Sequence, residues 1–122
     1  MRHRTKHRSF GRQKDHQKAL AKNLITSFLL YEKMKTTEAK AKSIVPKVEK
    51  LITLAKNVQT GKMSKMNGIR ELNKSVFDEN ASKKLLEEIA KRYTDRSSGF
   101  TRLTHLGPRA GDAAPMVLIE LV

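Results

Sequence analysis

The first fourteen residues constrain the fold most, because they cannot contribute to a hydrophobic core. They carry six cations and no acidic residue, and apart from Met1 their one bulky apolar side chain is Phe10. Such a segment cannot bury enough apolar surface to offset the entropy lost on ordering its backbone. The sequence therefore predicts a basic extension, residues 1–14, that is disordered alone, with a single compact domain over residues 15–122.

The spacing of these cations predicts the conformation of the extension when it is bound. From Arg2 to Arg8 a cation falls at every second position. In an extended chain, residues two apart point the same way, so these side chains would form one row. We therefore predict an extended arm that lies along a polyanion.

The overall charge indicates the class of partner. Lysine and arginine number 26 against 12 acidic residues, which gives a formal net charge of +14 and a pI near 10.3. A charge of this size spread along the chain favours nucleic acid over a basic protein whose lysines are merely solvated. A membrane partner is disfavoured, because the arm has no apolar face and the apolar runs are too short to span a bilayer. The absence of cysteine excludes disulfides, thiolate metal sites and a cysteine nucleophile.

Helix-period apolar side chains predict four helices on the domain. The first follows Asp15 as N-cap, and the second runs from Thr37 to Gly61 with Pro46 inside it, which predicts a kink or a restart. A short third helix carries Ile69, Leu72 and Val76. The fourth is capped by Asp78 or Asn80 and buries Leu85, Leu86, Ile89 and Tyr93.

The C-terminal part predicts strands. Residues 100–106 and 116–122 are β-prone, and residues 107–115 between them are rich in turn formers, which predicts a β-hairpin with a long tip. The last strand is apolar on both faces apart from Glu120, so we place it centrally, with residues 33–36 as its neighbour. The predicted fold class is α/β (α+β), with helices packed on a small mixed sheet that includes the C-terminal hairpin.

The candidate RNA-binding residues are basic side chains on the arm and the domain surface. Aromatic residues make up only 5% of the chain and tryptophan is absent, which disfavours a base-stacking platform and favours recognition of phosphate, ribose and RNA shape. The candidates are Arg2, His3, Arg4, Lys6, His7, Arg8, Arg12 and Lys14 on the arm, Lys18, Lys22, Lys35, Lys40 and Lys42 on the domain, and Arg96, Arg102 and Arg109 near the hairpin.

No pattern predicts catalysis, a cofactor, a metal site or a small-molecule substrate. His3 and His7 have a metal-ligand spacing only on a helix, and no carboxylate stands near them. Asp112 in the predicted hairpin tip is better explained by an Asx-type turn with a salt bridge to Arg109 than by acid–base chemistry. No Ser, His and Asp are brought together, and the chain has no glycine-rich phosphate-binding motif.

Several separated motifs resemble a known family. They are Met1-Arg2-His3-Arg4, Gly11-Arg12, His16, Ala19 and Asn23, then Lys35-Thr36-Thr37 with Lys40-Ala41-Lys42, Leu51 to Lys56, Gly99-Phe100-Thr101-Arg102, Gly107, Arg109-Ala110-Gly111-Asp112, Ala114-Pro115-Met116 and Ile119 to Val122. In this order they resemble, from end to end, the bacterial-type large-subunit ribosomal proteins of family number seventeen. The resemblance implies a cytoplasmic, non-catalytic ribosomal protein that binds large-subunit ribosomal RNA, near the polypeptide exit side and beside other ribosomal proteins.

Two other functions stay open on the residues alone. A nucleoid-type DNA-binding protein would share the basic charge, although no evident recognition helix is present. A metal-dependent nuclease would have to use His3, His7 and Asp112.

Overall fold

The computed structural model describes residues 3–4 and 8–122. The chain forms helices and strands that confirm the predicted α/β class. In chain order they are α1 (Lys14–Tyr31), β1 (Lys33–Thr37), α2 (Glu38–Gln59), α3 (Lys65–Asn73), α4 (Glu79–Lys84), a π-helical segment (Leu85–Ile89), α5 (Ala90–Arg92), β2 (Thr101–Pro108) and β3 (Pro115–Leu121). The candidates Arg2, Lys6 and His7 lie outside the described residues. No helix in the described ranges has the length and apolar character that crossing a bilayer requires.

The sheet has three strands in the order β1-β3-β2. This order confirms the predicted central position of the last strand and its pairing with residues 33–36. The sheet is antiparallel throughout rather than mixed. Strands β1 and β2 run in the same direction, but β3 lies between them and is joined to β2 by a hairpin, so each pairing is antiparallel.

Helix α2 packs on one face of this sheet, against all three strands, and α1 contacts β1. Strand β3 alternates, with Val117 and Ile119 fully buried under the helices. Ile119 joins a single core with Phe28 of α1 and Ile52 of α2. The other sheet face therefore carries the alternate residues, which remain exposed or half-buried.

The connection from α1 to β1 turns on Glu32, which has φ 61°, a left-handed conformation that costs energy for a residue with a Cβ. Its backbone N–H donates to the Phe28 carbonyl, and its carboxylate accepts two hydrogen bonds from Arg92 at 2.8 and 3.1 Å. Lys84 lies 3.2 Å from the same carboxylate. The hydrogen bonds from Arg92 are the main reason that the pKa of Glu32 falls from 4.5 to about 2. Glu32 thus ties the start of the sheet to the last helical segments.

This ion pair predicts a pH-dependent part of stability. Because the pKa of Glu32 is lower in the folded than in the unfolded chain, its contribution is complete above about pH 4.5 and is lost as the pH falls toward 2. Between pH 5 and pH 2.5, the free energy of unfolding should therefore fall by about 1–2 kcal/mol less in Glu32→Gln than in the wild type. This figure allows for partial solvent screening of the ion pair. Urea unfolding at several pH values measures it, with the exposed Glu88→Gln as the control. Parallel curves for the wild type and Glu32→Gln would contradict this role.

Helix α2 runs without a break through Pro46, so the predicted restart of the helix is wrong. Proline removes one backbone donor and crowds the preceding turn, which by itself favours interruption. Ile44 and Val48 on either side are buried in the core, and Pro46 itself is exposed. Burial of the flanking apolar positions therefore holds the helix together across the proline.

Helix α3 approaches α2 at a glycine. A Cβ built on Gly68 would lie 2.4 Å from Val58 Cγ2. The helix ends at Asn73, earlier than predicted, so Val76 enters the core from the following loop. The backbone of α3 at Gly68 therefore packs directly on the Val58 side chain of α2, and this contact fixes the position of α3.

This contact predicts that Gly68→Ala destabilises the fold. The gain in helix propensity, about 1 kcal/mol, should be outweighed by an overpacking cost of about 1–3 kcal/mol. Thermal unfolding should show a net loss of about 1 kcal/mol, partly restored in the Val58→Ala/Gly68→Ala double variant. Gly111→Ala is the matched control, because nothing lies within 4 Å of its Cβ position. Equal stability of Gly68→Ala and Gly111→Ala would show that α3 has room to move.

Candidate nucleic-acid interface

The arm turns back against the domain directly before α1. The Arg12 N–H donates to the Ser9 carbonyl at 3.0 Å, and the two residues between them, Phe10 and Gly11, both have positive φ. This is a tight β-turn, closed further by Gln17, whose side chain donates to the Arg12 carbonyl at 2.6 Å. Residues 9–12 therefore form a turn, and the row of cations predicted for the bound chain, Arg2 to Arg8, ends before this turn.

The turn places Arg8 and Phe10 beside a groove between α1 and α2, which we call the arm groove. It has a volume of about 890 Å³, and its apolar lining includes Phe10, Leu20, Leu24 and Ile44. No carboxylate of the described chain lines it, whereas six basic side chains do: Arg8, Lys14, Lys18, Lys40, Lys42 and Lys47. Such a groove concentrates positive potential over a low-dielectric floor.

A second groove continues from the first, and we call it the Phe77 groove. It has a volume of about 620 Å³ and shares Lys18 and Lys47 with the arm groove. Asp15 is its one acidic lining residue among the described positions. Its lysines are Lys18, Lys22, Lys47, Lys50 and Lys74. The two grooves therefore form one cationic surface across α1 and α2.

Several acidic residues are engaged elsewhere, which keeps this surface positive. Glu32 is held by Arg92 and Lys84, and Glu49 accepts hydrogen bonds from the backbone before β2. Glu38 pairs with Lys42 at 2.5 Å, so Lys42 is the one lysine of the arm groove with an ion-pair partner among the described residues. Glu32 and Glu49 thus hold the fold together. In the Phe77 groove Lys74 is paired with Glu71 at 2.8 Å, and apart from Lys42 and Lys74 the groove lysines have no ion-pair partner among the described residues.

Two predicted sites lie apart from the grooves, on the helix-free sheet face. In the sheet, Lys35 of β1 lies opposite Leu118 of β3, and Arg102 of β2 lies opposite Glu120 of β3. The Arg102 guanidinium is 3.8 Å from the Glu120 carboxylate. Since the buried residues of β3 are Val117 and Ile119, alternation puts Leu118 and Glu120 on the open face. Lys35 and Arg102 therefore belong to a second, weaker basic surface.

The hairpin tip is closed by Arg109 and Asp112, as predicted. The guanidinium binds the carboxylate through two hydrogen bonds of 2.9 and 2.6 Å, and the Ala114 N–H donates to the same carboxylate at 3.2 Å. The hydrogen bond from Arg109 is the main reason that the pKa of Asp112 falls to about 2. Asp112 is therefore an ionised structural group in an Asx-type turn rather than a general acid or base.

Of the remaining candidates, Arg12 and Arg96 are bonded to nearby backbone carbonyls, whereas His3 and Arg4 are exposed. Arg12 folds onto its own turn, where Nη1 donates to the Phe10 carbonyl at 2.7 Å, and Arg96 donates to the Gly99 carbonyl at 2.8 Å. Arg4 is exposed with φ 56°, so the backbone there departs from a simple extended strand, and His3 is exposed beside it. The proposed row from Arg2 to Arg8 concerns the bound chain and stays a prediction.

Three lysines of the cationic surface were not among the predicted sites. Lys47 stands seven residues after Lys40, two turns along the same face of α2, and Lys50 follows one turn later, so helical periodicity could have identified both. Lys74 lies beyond α3 in the chain and reaches the Phe77 groove only because α3 packs on α2. No local sequence signal indicates its position.

The two grooves give the α/β domain a continuous cationic surface across α1 and α2. Among the described residues, no three His, Asp or Glu side chains cluster as metal ligands would. His7, which the nuclease alternative requires, lies outside the described residues.

Comparison with known proteins identifies the family. The profile described as "Ribosomal protein L17" matches residues 20–122. A Thermoanaerobacter sp. protein named "Large ribosomal subunit protein bL17" is 45% identical over 116 residues, covering 95% of this chain and 98% of that protein. Proteins of the same name from Staphylococcus aureus and Syntrophotalea carbinolica are 42% and 43% identical, covering 95% and 100% of this chain and 98% and 75% of those proteins. The chain therefore belongs to the ribosomal protein L17 family, and it is a structural constituent of the ribosome rather than an enzyme.

Proposed function

We propose that this protein binds and stabilises large-subunit ribosomal RNA by neutralising closely spaced phosphates along the arm and the two grooves. The observation that carries the proposal is the arm groove, where six basic side chains line one surface and, among the described residues, only Lys42 of the six has an ion-pair partner. Large folded RNA brings phosphates from different strands close together, and bound cations relieve their repulsion. Family membership favours ribosomal RNA over duplex DNA.

Each basic segment has a distinct part in this proposal. The extension, residues 1–14, threads between RNA helices and continues into the arm groove at Arg8. The Phe77 groove extends the RNA-binding surface along α1 and α2 through Lys22 and Lys50. Lys35 and Arg102 on the open sheet face, with Arg96 and Arg109 near the hairpin, bind RNA or neighbouring ribosomal proteins in a secondary role. The protein acts in the cytoplasm, on the large subunit near the polypeptide exit side.

A comparison of affinities tests the proposal. The full chain should bind a large-subunit ribosomal RNA fragment more tightly than a duplex DNA of equal phosphate number, and the preference should persist at about 0.2 M salt. Competition binding at two salt concentrations measures it. Co-sedimentation with large subunits after a high-salt wash should follow the same preference. Equal affinity for both polyanions would favour the nucleoid-type alternative instead.

A further inference from the structure

Phe77 is the residue of the cationic surface that phosphate neutralisation does not explain. Its side chain is 55% exposed, in the loop between α3 and α4. Apolar side chains normally gain stability by burial, so leaving a phenylalanine exposed forgoes that gain. An exposed aromatic ring among lysines therefore suits a ligand that has both negative charge and a flat apolar face.

The backbone under Phe77 is held firmly. Its N–H donates to the Thr26 hydroxyl at 3.1 Å, and that hydroxyl in turn donates to the Lys22 carbonyl of α1 at 2.7 Å. Thr26 is buried, and Val76, the residue before Phe77, is packed in the core. The ring is thus carried on an ordered segment, so little entropy is lost when a ligand binds against it.

The surroundings of the ring select for nucleic acid. Lys22 Nζ lies 4.3 Å from the ring centroid, a cation–π contact. The groove that Phe77 borders also has Lys18, Lys50 and Lys74 in its lining, and Lys74 is paired with Glu71 at 2.8 Å. A neighbouring pocket that Phe77 also lines contains Glu79 and Glu87 besides three lysines. A protein partner would need several carboxylates beside an apolar side chain to match this site, whereas one nucleotide supplies a phosphate and a π-face together.

We propose that Phe77 is a stacking site for a single unpaired RNA base, with Lys22 and the lysines of the Phe77 groove holding the adjoining phosphates. The proposal rests on the proposed RNA-binding function and deepens it. The low aromatic content still disfavours a platform that stacks several bases. One ring on an ordered loop is enough for one extruded nucleotide.

The absence of tryptophan from the chain makes a direct test possible, because Phe77→Trp places a single fluorophore at the site. The probes are an RNA hairpin with one bulged adenine and the same hairpin with an abasic nucleotide at the bulge. We expect the bulged adenine to quench Phe77→Trp fluorescence and the abasic probe to leave it nearly unchanged. Met66→Trp is the control, because Met66 is also well exposed but lies outside the lining of the Phe77 groove. Equal quenching by both probes would overturn the proposal.

Affinity gives the second readout. The wild-type chain should bind the bulged-adenine hairpin at least about 5-fold more tightly than the abasic hairpin, the lower limit expected for one aromatic–base stack. Phe77→Ala and Phe77→Leu should both lose this preference, while Phe77→Trp keeps it. The preference for the bulged adenine could instead be lost in Phe77→Ala but kept in Phe77→Leu. That result would mean that any apolar side chain serves at this position, as in a contact with a protein neighbour, and it would overturn the proposal.

The outcomes separate stacking from RNA binding itself. If both hairpins bind the wild-type chain equally and with normal salt dependence, stacking is refuted and the RNA-binding function stands. If neither hairpin nor the ribosomal RNA fragment binds in a salt-dependent way, both proposals fall.

Discussion

Replacing Glu49 by alanine should lower the free energy of unfolding by about 2–4 kcal/mol. This carboxylate accepts hydrogen bonds from the N–H groups of Gly99, Phe100 and Thr101 at 3.2, 3.0 and 3.2 Å. The Thr101 hydroxyl donates to it as well, at 3.1 Å. One side chain of α2 therefore holds the backbone at the entrance to β2.

The size of the effect follows from what Glu49→Ala leaves behind. Phe100 is almost fully buried and its ring centroid lies 5.3 Å from that of Tyr93, so the backbone beside it cannot move freely to water. Donors left without partners at such a position cost about 1–3 kcal/mol each when buried, and less when water reaches them. Because water partly reaches the Gly99 N–H, the expected loss of unfolding free energy stays at about 2–4 kcal/mol rather than the sum of the buried costs.

Thermal unfolding should show this loss as a fall in Tm of about 8–16 °C, at about 4 °C per kcal/mol for a chain of this size. Glu88→Ala is the matched control, because Glu88 is exposed and has no ion-pair partner in the described part of the chain, and its effect should stay within about 0.5 kcal/mol. Hydrogen exchange should also speed up at residues 99–101 in Glu49→Ala. Equal Tm values for the two variants would show that the loop is held by its other contacts.

Neutralising three lysines of the arm groove should weaken RNA binding more than any other change of equal charge. Lys18, Lys40 and Lys47 line the groove without an ion-pair partner in the described chain, whereas Lys42 is paired with Glu38. Each phosphate that is no longer neutralised should reduce the slope of log K against log salt by about 0.7–0.9, so the triple change to glutamine should reduce it by about 2–3. Extrapolated from 1 M salt, a reduction in slope of about 2.1–2.7 corresponds at about 0.1 M salt to an affinity that is about 100- to 500-fold weaker.

The control removes the same charge from elsewhere on the surface. Lys62, Arg70 and Lys91 are exposed and lie outside the lining of both grooves. Their triple change to glutamine should leave the salt slope almost unchanged, because the charges are far from the bound phosphates and are screened over about 8–10 Å. Filter binding across a salt series measures both variants. Equal slopes would mean that net charge rather than the groove governs binding.

The elements of the fold could be predicted where local pattern and tertiary packing agree. Helix-period apolar residues identified α1 and α2, and the turn-rich segment before Pro115 identified the hairpin. The central position of β3 followed from its two apolar faces. An error arose at Pro46, where burial of the flanking core residues outweighs a local preference. The turn around Phe10 lies beyond the alternating charges, which carry no signal for it.

The candidate site was only partly predictable for a similar reason. The sequence identified the basic side chains Lys14, Lys18 and Lys40 because charge and helical spacing are local properties. It could not show that they share a groove with Arg8, because that depends on where two distant helices and a turn come together.

By itself, the sequence determined the class of partner, the family and the types of element, since net charge, motif order and hydrophobic period are written along the chain. The tertiary structure decided which charges act together and which are already engaged. Glu32 and Glu49 look available in the sequence, yet in the fold each one is tied to specific partners. Phe77 looks like a core residue, but packing turns Val76 inward and leaves the ring exposed among lysines. The physical reason is that electrostatic and stacking interactions act over a few ångströms through space, and only the packed core sets those distances.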